Sequence, residues 1–190
     1  MLARAHYSAM GNRMNRPGAE PDLRLLEGVV SSRVLDAMRA SAAQLTRLGV
    51  RHWIVGGLAV GAHGHPRATK DVDFFVGDKA FEHHGGGLVT MKPGVPIQAN
   101  GVVVDHLSAQ EEPFLTAALP AADLPLEVAP IEVLLYLKLK SPRAKDRADV
   151  VELIKAGADI QRTREFLGRH APEFVAALEQ AVTTARAEED

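Results

Sequence analysis

The chain of 190 residues contains no cysteine, a single tryptophan and only 5% aromatic residues. Without cysteine there is no disulfide scaffold, no thiolate zinc site and no cysteine nucleophile. An excess of charge is missing too. The 22 Lys and Arg against 24 Asp and Glu leave a net charge of -2. That balance excludes a generally basic nucleic-acid coat and an acidic disordered tail. No apolar run approaches the roughly 20 residues of a membrane span, so no membrane partner is expected. The opening MLARAHYSAMGNRMNRPG lacks the apolar core of a secretory signal. These absences point to a cytoplasmic enzyme or binding module. What is present, 46% hydrophobic and 24% charged residues, matches an ordinary globular protein.

The expected organisation is a flexible leader over 1–20, a core over 21–129 and a helical lobe over 130–190. In the core, Leu26, Val30, Val34, Met38, Ala42 and Leu45 recur at helical steps. They predict one helix of about six or seven turns, with Asp22 in its first turn and Gly49 at its stop. Strands are expected over 52–57, 71–77, 87–91, 101–107 and 125–129, with short helices over 58–65 and 113–119. After Pro130 the segments 131–141, 145–156, 159–168 and 172–187 all read as helices, with Pro130 and Pro172 in first-turn positions. The fold class is therefore α+β, a mixed β-sheet core flanked by helices with a C-terminal helical lobe.

The chemistry concentrates in VGGLAVGAHGHPRATKDVDFFV. Gly56 and Gly57 close a strand and open a helix, where a backbone without Cβ atoms can approach a phosphate. Asp71 and Asp73 flank Val72 in an apolar strand, so alternation brings both carboxylates to one face. Asp105 stands in a second apolar strand, VVVDHL. Each piece has an ordinary alternative: a plain turn, a solvated strand end, a strand-end turn residue. Together they suit a divalent cation such as Mg²⁺, which takes hard oxygen ligands and substrate phosphates. Three acids beside a glycine turn are the layout of two-metal phosphoryl or nucleotidyl transfer.

Val55-Gly56-Gly57, thirteen residues, then Asp71-Val72-Asp73-Phe74 resembles the signature of the DNA polymerase beta-like nucleotidyltransferase superfamily. Asp105 matches its third carboxylate. Arg67-Ala68-Thr69-Lys70 resembles the AbiEii-type and related minimal nucleotidyltransferases, which include toxins of toxin–antitoxin systems. The resemblance implies metal ligation by Asp71, Asp73 and Asp105. It also implies nucleotide contacts from Gly56, Gly57, Arg67 and Thr69.

The second informative stretch is IEVLLYLKLKSPRAKDRADVVELI. Lys138 extends the apolar stripe of Ile131, Leu134 and Leu135, and reads either as a stem snorkelling to water or as a phosphate-contacting lysine. Lys-x4-Arg-x-Lys-Asp-x2-Asp resembles a helical-lobe motif of the same AbiEii-like group. By that likeness Lys138 is catalytic, approaching nucleotide or acceptor, and Arg143 and Asp146 belong to the polar set at the cleft. Asp149 reads as a helix N-terminal charge. Lys138, Lys140, Arg143, Lys145 and Arg147 form a basic cluster without interleaved aromatics, suited to a polyphosphate or RNA backbone rather than to base stacking. His63, His65, His83, His84 and His106 show no zinc spacing.

The expected function is transfer of an NMP from an NTP to a hydroxyl acceptor, RNA such as tRNA or protein, with Mg²⁺ or Mn²⁺. The resemblance adds a role as the toxin of a toxin–antitoxin system, with a cognate antitoxin or regulator as partner. The alternative is a catalytically inactive module of the same fold, acting as an antitoxin-like partner or nucleotide sensor.

Overall fold

The computed structural model describes residues 20–110, 112–124 and 126–189. Except for Glu20, the leader expected over 1–20 lies outside them. The chain forms two compact units. Among the described residues, one comprises Leu23–Gly61 and Pro66–Ala129; the other comprises residues 130–189 with Ala62–His65 and residues 20–22.

The first unit is α+β. Its helix α1, Ser32–Arg47, buries Val34, Leu35, Met38, Ala42 and Leu45 on one face. It ends as a glycine-capped helix should: Gly49 N–H donates to Thr46 O and Val50 N–H to Leu45 O. The long helix expected from Asp22 is shorter in fact. Leu23–Leu26 form a 3₁₀ turn, and a turn at Gly28 and Val29, flanked by the isolated bridge Glu27↔Val30, separates it from the helix. Leu26 and Val30 are still buried, so their spacing reported burial and not a continuous helix.

Four strands build the main sheet in the order β1-β2-β6-β5. Strand β1 is His52–Ile54, β2 Val72–Val76, β5 Gln98–Ala99 and β6 Val102–Ser108. A separate hairpin pairs β3, Phe81–His83, with β4, Val89–Met91. The β2–β6 pair is parallel, whereas β1–β2 and β5–β6 are antiparallel. The strand expected over 125–129 is reduced to one bridge, Ile54↔Val128. Helix α2, Gly56–Ala62, follows β1, and helix α3 is Pro113–Ala118. One face of the sheet carries Ile54, Val72, Phe74, Val76 and Val104, all buried. Phe74 lies there between two rings, 5.4 Å from His52 and 6.1 Å from His106. Trp53 and Phe75 meet on the other face, 6.2 Å apart.

The second unit is helical: α4 Ile131–Lys140, α5 Ala144–Lys155, α6 Ile160–His170 and α7 Val175–Glu189. Asp159 caps α6 by accepting from Arg162 N–H. Tyr136 packs edge-on against Phe166 and Phe174, and Leu134, Leu135, Leu153, Leu167 and Leu178 are fully buried. No helix among the described residues is long and apolar enough to cross a membrane.

Phe74 is 0% exposed in the middle of the sheet. Phe74→Ala is expected to destabilise the protein by about 3–5 kcal/mol, the usual loss for emptying a buried phenyl site. Urea unfolding followed by tryptophan fluorescence checks this.

Candidate active site

The glycine turn and the acids meet in the first unit. After β1 the chain passes through Val55, whose N–H donates to Asp73 O at 3.0 Å. The turn is thereby held against the start of β2. Gly56 has φ +62, a left-handed conformation that suits glycine. A Cβ there would overlap Asp73 Oδ2 and stand 2.5 Å from its Cγ. The glycine therefore makes room for the carboxylate.

In strand β2 every residue is buried except Asp73, which is half-buried. The parallel register sets Asp73 directly opposite Asp105 of β6. Neighbouring strands lie about 4.8 Å apart, and like charges facing across a pair are destabilising. On β6, Val103, Asp105 and Leu107 form an open face, whereas Val102 and Val104 are buried. The next residue, His106, has its imidazole pushed down to about 4 by burial, against the opposing charge of Asp105. At neutral pH the ring is uncharged and gives Asp105 no counter-charge. The β2–β6 pair thus concentrates negative charge without a cation of its own beside Asp105.

Asp71 precedes β2 by one residue and is exposed. Its Oδ1 accepts a 2.8 Å hydrogen bond from Thr69 Oγ1. A Cβ at Gly57 would lie 2.9 Å from that Thr69 oxygen and 3.5 Å from Arg67 Nη1. Gly56, Gly57, Arg67, Thr69, Asp71, Asp73 and Asp105 are all in this unit, and the contacts among them join the turn to the acids.

Among the described residues no three His, Cys, Asp or Glu side chains gather as a group able to hold a metal ion. Mg²⁺, however, is commonly held by one or two carboxylates with waters and substrate phosphates. An in-register pair of carboxylates, with a third two residues away along the chain, fits that mode. It does not fit an all-protein cage.

Lys138, Arg143 and Asp146 lie in the helical unit and converge on one another. Lys138 is 6% exposed, so its ammonium does not snorkel to water. It pairs with Asp146 at 2.5 Å and Asp149 at 2.8 Å. Asp149, expected as a helix-end charge, is itself buried and serves as a partner of the lysine. Ser141 Oγ donates to Asp146 Oδ2 at 2.6 Å, and Arg143 Nε donates to the same oxygen at 2.5 Å. Burial pushes the Asp146 carboxyl up, but the hydrogen bonds from Lys138, Ser141 and Arg143 outweigh it and hold it at about 2. Sequence reasoning missed Ser141. The signal for Asp149 was its position one turn after Asp146, on the same face of α5. The basic cluster expected over 138–147 loses Lys138 to the interior, whereas Lys140, Arg143, Lys145 and Arg147 are exposed.

Three other histidines have side-chain partners. His83 pairs with Asp78 at 3.0 Å, His84 with Thr90 at 2.7 Å, and His65 with Glu152 at 3.5 Å.

No family model matches the chain, and no curated protein is found to be similar. Among solved structures it is similar to the crystal structure of an antigenic nucleotidyltransferase-like protein from Paracoccidioides brasiliensis. That likeness covers 80% of this chain and 94% of the other, at 17% identity and a TM-score of 0.43. At this level it assigns no activity, and the chemistry rests on the site's own geometry.

The buried cluster yields two expectations. Lys138→Met strands two buried carboxylates and should cost about 3–5 kcal/mol in denaturant unfolding; a surface lysine would cost almost nothing. Asp146, held at about 2 in the folded chain against 3.8 unperturbed, contributes stability above pH 3.8. That contribution is lost as pH falls toward 2. Melting temperatures of wild type should therefore drop more steeply across that window than those of Asp146→Asn.

Proposed function

We propose that the chain is a nucleotidyltransferase that moves an NMP from an NTP to a hydroxyl acceptor. The observation that carries this reading is the β2–β6 register, which sets Asp73 opposite Asp105 beside the Gly56–Gly57 turn. Asp71, Asp73 and Asp105 would hold Mg²⁺ or Mn²⁺. When bound, the cation would supply charge neutralisation for the triphosphate and the departing pyrophosphate. Arg67 lies next to Gly57 and brings a guanidinium suited to phosphate oxygens.

In the proposed reaction the acceptor oxygen bonds to the α-phosphorus and the α–β anhydride bond breaks. Pyrophosphate leaves with the electron pair. The hydroxyl proton passes to Asp105, the exposed carboxylate on the open face of β6. The hydrogen bonds that link Lys138, Asp146, Ser141 and Arg143 support a role for Lys138 in holding the loop that carries Ser141 and Arg143. From the likeness of Arg67–Lys70 to AbiEii-type enzymes, which include toxins, we take tRNA or protein as the acceptor, and toxin of a toxin–antitoxin pair as the biological role.

Labelled NTPs supplied with Mg²⁺ to total RNA and total protein should yield labelled product, and a chelator should abolish it. Asp71→Ala, Asp73→Ala and Asp105→Ala should each lose more than the about 10–100-fold that changes around a metal's ligands cost. Full incorporation by the Asp71 and Asp73 variants would sink the proposal.

A further inference from the structure

The two consecutive glycines differ in what occupies the space a side chain would need. At Gly56 it is Asp73. At Gly57, which is buried, a Cβ would stand 2.9 Å from Thr69 Oγ1 and 3.2 Å from Thr69 Cβ. Gly57 is outside the positive-φ residues, so its backbone does not demand glycine; the neighbouring Thr69 does. Threonine is β-branched and stiff about χ1, so it does not readily swing aside for a methyl group. Its hydroxyl is already engaged, donating to Asp71 Oδ1 at 2.8 Å.

From these contacts we propose that Gly57 and Thr69 are a positioning pair: the glycine seats Thr69, and the Thr69 hydroxyl aims the Asp71 carboxylate at a divalent cation. This rests on the nucleotidyltransferase reading and adds a division of labour to it. Gly56 admits Asp73 directly, and Gly57 serves Asp71 through Thr69. The missing methyl at residue 57 thus makes room for the protein's own acid-orienting hydroxyl. One Asp71 oxygen is taken by that hydroxyl, which fixes an otherwise exposed carboxylate and leaves Oδ2 for the cation. Outer-shell donors of this kind are worth about 10–100-fold in metal affinity.

The test is a Mn²⁺ titration followed by electron paramagnetic resonance, on the full chain without nucleotide, beside NMP-transfer kinetics. Thr69→Val keeps the volume and removes the donor; Thr69→Ser keeps the donor. We expect Thr69→Val to bind Mn²⁺ about tenfold more weakly or worse, and Thr69→Ser to bind it as wild type does. Gly57→Ala should reproduce the Thr69→Val loss. The double variant Gly57→Ala/Thr69→Val should be no weaker than either single change, as expected for residues acting through one contact. At saturating cation the KM for NTP should not move.

Should Gly57→Ala fail to fold, the isosteric Thr69→Val and its serine counterpart decide the matter. Unchanged Mn²⁺ binding in Thr69→Val overturns the positioning pair. So does a raised NTP KM at saturating cation, which would turn the hydroxyl toward the nucleotide. Multiplying effects in the double variant also overturn it. A wild-type chain that transfers no nucleotide to any acceptor overturns the proposed function instead.

Discussion

The parallel pairing of β2 with β6 is the constraint on which the candidate site depends. The other contacts described near the acids span fewer positions of the chain: Gly56 beside Asp73, and the Thr69 hydroxyl on Asp71. Only this register joins two acids 32 positions apart in sequence across adjacent strands. It also explains why the core and the site are inseparable. The buried face of the same two strands holds Val72, Phe74 and Val104, and strand alternation makes one face apolar by the same rule that brings the acids to the other. Hydrophobic burial on one side thereby holds the acids side by side on the other.

The helical unit solves a different electrostatic problem. Lys138 is taken out of water and met by two carboxylates, while a serine and an arginine bind the far oxygen of one of them. Buried ion pairs are costly to form and costlier to break. The cluster therefore favours one relative placement of α4, the following loop and α5. It fixes Arg143, which is 75% exposed, by its link to the buried Asp146. The position of this exposed cation is thus set by a buried anchor.

Much of this was legible from the chain, and the exceptions have physical causes. The apolar strands around Asp73 and Asp105 declared themselves by composition, and helices α4 to α7 by spacing and prolines. The parallel sense of β2 and β6 was not legible, because it follows from the route of the intervening residues and not from either strand. The first helix was overread because Leu26 and Val30 keep helical spacing while a turn at Gly28 and Val29 lies between them. Strand β5 was overlooked although its turn carries a clear mark. Asn100 and Gly101 have φ values of 51° and 70°, the pair of positive angles that an Asn-Gly hairpin turn requires. The buried pairing of Lys138 was not legible for a different reason. Its place on an apolar stripe was evident, but partners 8 and 11 residues on belong to the next helix. At the candidate site the acids were selected by type and spacing. That the glycines make room for Asp73 and Thr69 could be seen only in three dimensions.

One consequence follows from the alternation along β6. Its buried Val102 and Val104 and its open Asp105 occupy opposite faces, so a slip of a single residue against β2 would exchange them. Asp105 would turn into the apolar interior and a valine or the neutral His106 would face Asp73. The misaligned state would be penalised by its core before its chemistry was ever tested. Residues with no reactive group therefore act as the site's quality control, and a population of folded molecules with wrongly matched acids is suppressed at the level of folding.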